Sequence, residues 1–274
     1  MACVLEASAT KVGNVHPQAS FSDMTYAHFL ASAVAIGPVF ESAEQWQVGR
    51  LVLHAVLATR QSAGCNTNLG TLLLFAPLAK AHQAADQSLA ALRVSVAATL
   101  DQLQPLDAED VYKAIRAARP GGLGVSPQDD VSGTPPPDLR TAMAVVGNTD
   151  AVARQYTNNF ADIFDRLVPW LSEELRRCEE PLEALCRLQL RWLAHEPDGL
   201  IVRKAGRPMA RQVQQAAARI VGKCLSRTEP LAQQSEVVEL DQMLRADGHR
   251  RNPGTTADLI AATTLVLLLI KGSW

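Results

Sequence analysis

A short polar segment near the end of the chain has the residue types that bind phosphate. It reads Asn-Pro-Gly-Thr-Thr-Ala-Asp-Leu over residues 252–259 and leads directly into an apolar stretch over 260–270. An Asn followed by a Pro is typical of a helix start, where free N–H groups and the helix dipole favour an anion. The segment therefore predicts a phosphate-binding helix N-terminus, with contacts from Asn252, Gly254, Thr255 and Thr256.

Asp258 lies in the same segment and is the least expected residue type beside a phosphate. A carboxylate in the first turn stabilises a helix but repels a bare phosphate. A Mg²⁺ ion that bridges the two reconciles them, since Mg²⁺ prefers oxygen ligands. The alternative is an ordinary capped core helix with an acid in its first turn.

A second polar segment lies near the start of the chain. Lys11 is followed closely by Gly13 and Asn14, and this group is suited to meet a phosphate through an ammonium and backbone N–H groups. Glu6 and Asp23 flank it and could serve a metal or a reacting hydroxyl. The plainer interpretation makes Gly13 a helix C-cap, Asp23 an N-cap and Lys11 a solvated side chain.

A third segment, Gly-Cys-Asn-Thr-Asn-Leu-Gly over residues 64–70, separates two apolar helical stretches. Its amides and hydroxyl suit ribose hydroxyls or phosphate oxygens, although helix capping is a competing explanation. The residues concerned are Asn66, Thr67, Asn68 and Gly70. Cys65 is expected to be an inert thiol, because no His is spaced to activate it.

A fourth segment, over residues 196–207, brings Asp198 close to a cluster of basic residues. Arg203 and Lys204 lie between two glycines and could clamp a polyphosphate, or they could belong to a solvated loop.

Helices are the elements that must position these segments. Apolar residues recur at helical spacing along nearly the whole chain and no convincing strand pattern occurs. We predict an all-α, single-domain multi-helix bundle with helices near 149–176 and 255–270 among others. A long Gly- and Pro-rich stretch near 120–137 is predicted to be a functional loop.

Composition narrows the function classes. The chain has 274 residues, 47% of them apolar, and a formal net charge of −2, which gives no electrostatic footprint for nucleic acid or an acidic membrane. Five widely spaced cysteines without a C-x-x-C pair indicate a reducing, cytoplasmic environment. The longest apolar segment, over 259–270, is expected to be too short to span a bilayer.

The four segments, in this order, resemble the family of triphosphoribosyl-dephospho-CoA synthases over most of the chain. The family's opening Glu, Lys-Pro-Gly and Asp-Met match Glu6, residues 11–13 and Asp23-Met24. Its Gly-x-Asn-Thr-His-Lys-Gly loop matches residues 64–70, its Asp-Thr-Asn and Arg-x-Gly elements correspond loosely to 198–206, and its closing Ser-Pro-Gly-Gly-Ala-Asp-Leu is close to 252–259. The chain departs from the family at Val12, Asn68 and Leu69, where the family has Pro, His and Lys.

The resemblance implies an ATP-dependent transferase that moves the triphosphoribosyl group of ATP to a ribose hydroxyl of dephospho-CoA and releases adenine. It implies catalytic roles for Glu6 and Asp23, with Mg²⁺ held by Asp23 or Asp258. Two alternatives stay open: a relative that uses ATP or a phosphoribosyl substrate in another cofactor pathway, such as that of one-carbon carriers, and a non-catalytic helical nucleotide-binding protein. Oligomeric state is also open, with a homodimer as one candidate.

Overall fold

The computed structural model describes residues 1–82, 88–119, 136–225 and 229–272. Within these ranges the chain forms fourteen α-helices and no β-strand, which confirms the predicted all-α class. The helices are α1 (Ala2–Ser8), α2 (Tyr26–Glu41), α3 (Val48–Ala63), α4 (Leu69–His82), α5 (Leu89–Asp101), α6 (Pro105–Ala118), α7 (Leu139–Val146), α8 (Ala151–Asn158), α9 (Val168–Arg177), α10 (Pro181–His195), α11 (Gly199–Ala205), α12 (Arg207–Cys224), α13 (Ser235–Arg245) and α14 (Gly254–Lys271).

Helices α4 and α14 form the centre of the bundle because they are apolar on nearly every side. α14 packs against α1, α4, α8, α10 and α11, so one helix touches most of the layers around it. A single hydrophobic cluster runs from α1 to α14. The prediction of one domain stays a prediction, and most of its loop near 120–137 falls on residues 120–135, outside the described residues.

α14 is the one helix of the described residues that is long and apolar enough to cross a membrane. It has 18 residues, more than the apolar segment considered in the sequence, and 56% of them are buried within the bundle. Its packing against the helices that surround it is that of a core helix.

The start of α14 differs from the predicted one. The helix begins at Gly254 with Pro253 as its N-cap residue, so the side chain of Asn252 is not the cap. Asp258 consequently lies in the second turn rather than the first. Of the first-turn N–H groups, that of Gly254 already donates to the carbonyl oxygen of Asn252 at 2.9 Å and that of Thr256 to Asp198 Oδ2 at 2.7 Å.

Two other boundaries were predicted wrongly. The helix predicted over 149–176 is broken after α8, because Asn159 and Phe160 adopt positive φ angles of 54° and 59° before a π-helical turn at Ile163–Leu167. The predicted break over 199–206 contains α11. Its apolar residues Leu200, Ile201 and Val202 give this short segment a face to bury, and Ile201 is fully buried.

Candidate functional site

A cavity of about 790 Å³ lies where the N-terminal segment and the starts of α4, α11 and α14 meet α6 and α7. It is lined by residues from all four polar segments that the sequence singled out. These are Glu6, Asn14, Asp23, Asn66, Thr67, Asn68, Gly70, Arg203, Lys204, Asn252, Gly254, Thr255 and Asp258. Segments more than 240 residues apart in the sequence are thus brought to one site.

Three predicted ligand contacts, Lys11, Gly13 and Thr256, are not among the lining residues. Lys11 is fully buried behind the wall. Its ammonium lies 2.9 Å from a carboxylate oxygen of Glu6 and also donates to the backbone carbonyl of Glu6. Because this ammonium is fully buried and does not line the cavity, Lys11 holds Glu6 in place instead of meeting a phosphate directly.

Gly13 and Asn14 form part of a network that joins the two ends of the chain. The N–H of Gly13 donates to Asp241 Oδ1 at 2.7 Å, so this donor is already used. Asn14 Nδ2 donates to Asn252 Oδ1 at 2.7 Å, and Gln189 Nε2 donates to Asn14 Oδ1 at 2.8 Å. A side chain at Gly13 would meet Leu244 and Pro253, and its φ of +71° favours glycine. The segment therefore fixes the position of Asn252 at the cavity.

Asp258 is half-buried at the base of the cavity. One of its oxygens accepts a hydrogen bond from Thr71 Oγ1 at 2.7 Å. The other lies against Gly70, where a Cβ atom would come within 2.1 Å of it. Burial, together with the nearby carboxylates of Glu6 and Asp150, raises the pKa of Asp258 to about 8. Without a bound cation this group is largely protonated at neutral pH.

Thr256 is held by a second carboxyl group, that of Asp198. Both the N–H and the Oγ1 of Thr256 donate to Asp198 Oδ2 at 2.7 Å. Burial raises the pKa of Asp198 to about 6, while the hydrogen bonds from Thr256 act in the opposite direction. Thr256 therefore has a partner inside the protein, whereas its neighbour Thr255 lines the cavity.

The segment over 64–70 combines capping with exposure to the cavity. Asn66 Oδ1 accepts from the N–H of Leu69, and Thr67 Oγ1 bonds to Ser32 Oγ at 2.7 Å. Asn68 is buried and its Oδ1 accepts from Thr59. Both the capping interpretation and the site interpretation of this segment are therefore compatible with the structure.

Two cysteines, Cys3 and Cys65, also line the cavity. Burial raises the pKa of Cys3 to about 12, with Glu6 adding to the effect, and burial also raises the pKa of Cys65. Neither sulfur is a thiolate at neutral pH, so neither is a ready nucleophile.

Asp150 is a cavity residue that the sequence reasoning missed. One of its oxygens caps α8 by accepting from the N–H groups of Val152 and Ala153, and the other receives Arg203 Nη1 at 3.2 Å. A signal was present, because Gly-Asn-Thr-Asp over 147–150 has the same residue types as the segments that were recognised. Lys204, next to Arg203, is partly buried, and burial lowers its pKa.

Asp23 lies at the exposed rim of the cavity. Its side chain is 66% exposed, and one of its oxygens is 3.7 Å from His249 Nε2. His249 stacks on Phe21 with ring centroids 4.6 Å apart. A flat aromatic surface beside an acid is suited to a nucleobase.

The opposite wall of the cavity is apolar. It is contributed mainly by α6 and α7 through Val111, Tyr112, Ile115, Leu139, Met143 and Val146. The cavity therefore has a polar side with acids, amides and cations and a largely apolar side formed by these six residues. Such a division suits a ligand with both a polyphosphate and an apolar or aromatic part.

The two predicted metal contacts, Asp23 and Asp258, lie at different depths, one at the exposed rim and one half-buried at the base. No group of three or more His, Cys, Asp or Glu side chains arranged to hold a metal occurs among the described residues. A Mg²⁺ site made by the protein alone is therefore not built into this part of the chain. Mg²⁺ commonly binds through one or two carboxylates together with substrate phosphates, which the acids around Asp258 could provide.

Comparison with known proteins gives one consistent result. The sequence matches the ATP:dephospho-CoA triphosphoribosyl transferase family over residues 1–274. The fold is similar to a crystal structure from Archaeoglobus fulgidus, provisionally described as a triphosphoribosyl-dephospho-CoA synthase, with a TM-score of 0.68 and 25% sequence identity. That similarity covers 88% of this chain and 99% of the other. A search among curated proteins gave no match.

Proposed function

Because this chain belongs to the ATP:dephospho-CoA triphosphoribosyl transferase family, we propose that the cavity is the active site of that transfer. The enzyme moves the triphosphoribosyl group of ATP to dephospho-CoA. The observation that carries the proposal is the convergence of four separate polar segments on one cavity, each of which begins or precedes a helix.

The reaction exchanges one bond at C1 of the ATP ribose for another. The bond from C1 to the adenine nitrogen breaks, and a bond from C1 to a hydroxyl oxygen of the acceptor ribose forms. The hydroxyl proton must leave, and adenine takes up a proton as it departs. Positive charge develops at C1 on the way, and a carboxylate stabilises such an oxocarbenium ion.

Glu6 is suited to stabilise this charge. It lines the cavity, it is 8% exposed, and Lys11 fixes it from behind. A largely buried carboxylate has a strong electrostatic effect because little water screens it. Asp23, at the exposed rim, is better placed to accept the acceptor's proton, since water can carry the proton away.

The triphosphate would lie along the polar wall formed by α11 and the start of α14. Arg203 and Lys204 supply cations on one side. Thr255 supplies a hydroxyl and a first-turn N–H on the other side. Asn66, Thr67 and Asn68 would hold ribose hydroxyls without adding charge.

Mg²⁺ fits this arrangement as a companion of the triphosphate. Asp258 would hold it, and Asp150 lies near enough to raise the pKa of Asp258. Mg²⁺ supplies positive charge that offsets the phosphates and these carboxylates. Binding of a cation would return Asp258 to its ionised form.

A second candidate differs only in the acceptor or leaving group. Asn68 and Leu69 line the cavity at the positions of the family's His and Lys, so a base and a cation are lost there. A different phosphoribosyl substrate would accommodate these side chains.

Cytoplasmic location and pairing as a homodimer stay predictions from the sequence.

Product analysis tests the proposal. The protein is incubated with Mg²⁺ and ATP, with and without dephospho-CoA, and the mixture is separated by chromatography for adenine, ADP and AMP. We expect adenine only when both substrates are present. Release of ADP or AMP would indicate another ATP-dependent reaction, and no product together with no ATP-induced thermal shift would favour a non-catalytic protein.

A further inference from the structure

We infer that Asp198 is a positioning residue that fixes α11 on α14 and thereby places the cations of α11 for the triphosphate. The inference rests on the proposed function, because it assigns Arg203 and Lys204 to the phosphates of the substrate. Asp198 itself does not line the cavity.

The carboxylate of Asp198 joins two helix starts. Its Oδ1 accepts from the N–H groups of Leu200 and Ile201, at 2.9 and 3.0 Å, and so caps α11. Its Oδ2 accepts from the N–H and the hydroxyl of Thr256 in the first turn of α14, both at 2.7 Å. Four donors from two helices therefore meet on one side chain.

The start of α11 packs tightly on the segments around it. A Cβ atom at Gly199 would lie 2.7 Å from the carbonyl oxygen of Thr149 and 3.2 Å from Thr255 Oγ1 of α14, so a side chain fits there only if the backbone shifts. At Gly254, the first residue of α14, a Cβ atom would lie 2.5 Å from Leu200 Cδ2, which is the end of a side chain that can rotate away. The start of α11 therefore has little freedom to shift at Gly199.

The two helices joined in this way carry complementary halves of the site. α11 bears Arg203 and Lys204 at its end, while α14 bears Thr255 and Asp258. The distance between the cations and the Thr255 hydroxyl is set by how α11 sits on α14. A displacement of about 1 Å at such a contact is enough to weaken binding of a charged ligand severalfold or more.

Helix capping alone does not account for this residue. Asp138 caps α7 by accepting from two backbone N–H groups and the Thr141 hydroxyl, yet it lies at the surface, where a cap costs little to desolvate. Asp198 is 3% exposed, and burying a carboxylate is unfavourable unless its hydrogen bonds offset the loss of water. The additional bonds to α14 are what distinguish it from Asp138.

The test compares Asp198→Asn with Asp138→Asn as a matched control. In the first variant the one oxygen of the carboxamide can still accept from α11, but its NH2 group faces Thr256 and cannot accept from the N–H or the hydroxyl there. The join to α14 therefore weakens while the cap of α11 persists. We expect the Kd for MgATP, measured by calorimetry without acceptor, to rise about tenfold or more. The KM for dephospho-CoA should change less than about threefold, because the displaced cations Arg203 and Lys204 bind the triphosphate of ATP and not the acceptor. Asp138→Asn should lower the melting temperature and leave the Kd for MgATP unchanged.

A second variant reaches the same contact without touching a charge. Gly199→Ala should push the start of α11 away from the Thr149 carbonyl and from Thr255 and weaken MgATP binding in the same way, which keeps the test decisive if Asp198→Asn fails to fold. An unchanged Kd in the folded Asp198 and Gly199 variants would overturn the inference, as would an equal rise in the Asp138 control. A wild-type protein that binds no MgATP would overturn both the inference and the proposed function, whereas wild-type binding with unchanged variants would overturn the inference alone.

Discussion

Two carboxyl groups of the same cavity, those of Glu6 and Asp258, have opposite surroundings. Glu6 is paired with the buried ammonium of Lys11, while Asp258 has hydroxyl and carboxyl neighbours and a pKa raised to about 8. Two carboxyl groups of one site whose neighbours differ in this way are suited to different parts of a reaction. Glu6 is the one equipped to face a developing positive charge.

Replacing Glu6 by Gln should reduce adenine release about 100-fold or more, the usual effect of losing one preorganised electrostatic contact. The same change leaves the Lys11 ammonium buried without its carboxylate and should cost about 3 to 5 kcal/mol of stability. Adenine release is measured by chromatography and stability by thermal unfolding. Glu44→Gln, at an exposed residue outside the cavity, is the control and should change neither.

The double variant Glu6→Gln with Lys11→Met separates a catalytic role from a structural one. Removing both partners of a buried ion pair is often nearly neutral for stability. We expect the melting temperature to recover most of the way to the wild-type value while adenine release stays low. Recovery of activity together with stability would mean that Glu6 serves the fold and not the reaction.

At the scale of helices, the sequence was most informative where polar residues interrupt apolar stretches. The segment before α4 was interpreted as a site segment because its three polar residues exceed what one cap requires. The segment at the start of α14 was interpreted as one because a helix-start sequence there also carries two hydroxyls and an acid. α11 was missed, since seven residues give too short an apolar pattern to separate from a loop. The burial of Lys11 was also missed. Its partner Glu6 lies in α1 while Lys11 follows the end of that helix, and either residue alone has the pattern of a surface charge.

Contacts between distant segments could not be read from the chain at all. Asp258 meets Gly70 and Thr71, and Asp198 meets Thr256, only because α4 and α11 pack on α14. Such pairings depend on the packing order of the helices, which helical periodicity does not encode. The sequence indicated which segments form the cavity better than which of their residues line it, since Lys11, Gly13 and Thr256 do not.

Gly70 offers a test of the contact between α4 and α14. A methyl group there would lie 2.1 Å from Asp258 Oδ2, so Gly70→Ala must displace either the carboxyl group or the helix. We expect adenine release to fall about 100-fold or more, in line with a misplacement of about 1 Å in a site. Gly222→Ala in α12 is the matched control, because nothing lies within 4 Å of its added methyl group. The control should keep full activity and gain about 0.5 to 1 kcal/mol in stability, and equal activity in both variants would show that the contact at Gly70 is unimportant.

For the whole molecule, the buried acids of the site make stability depend on pH. Asp198 and Asp258 have pKa values of about 6 and about 8 when folded, against an ordinary value of 3.8. Between pH 4 and 8 the folded chain therefore keeps protons that the unfolded chain has lost. Stability from these two groups is fully present below about pH 4, falls between about pH 4 and 6 for Asp198 and between about pH 4 and 8 for Asp258, and changes little above pH 8. A site that binds a cation or substrate can carry such a cost, because the ligand restores the stability that the empty site lacks.

Asp258→Asn should remove most of this dependence above pH 6. The side chain keeps its size and can still accept from Thr71, but no buried charge forms as the pH rises. In scanning calorimetry with a chelator present, we expect the two proteins to unfold at nearly the same temperature at about pH 4. At pH 8.5 the variant should unfold about 5 °C or more above the wild type, since each unit of pKa shift corresponds to about 1.4 kcal/mol. Asp165→Asn, at a half-exposed residue, should follow the wild-type curve. MgATP should raise the melting temperature of the wild type more than that of the Asp258 variant. If the melting temperatures of the two proteins change in parallel with pH, Asp258 is not protonated at the base of the cavity.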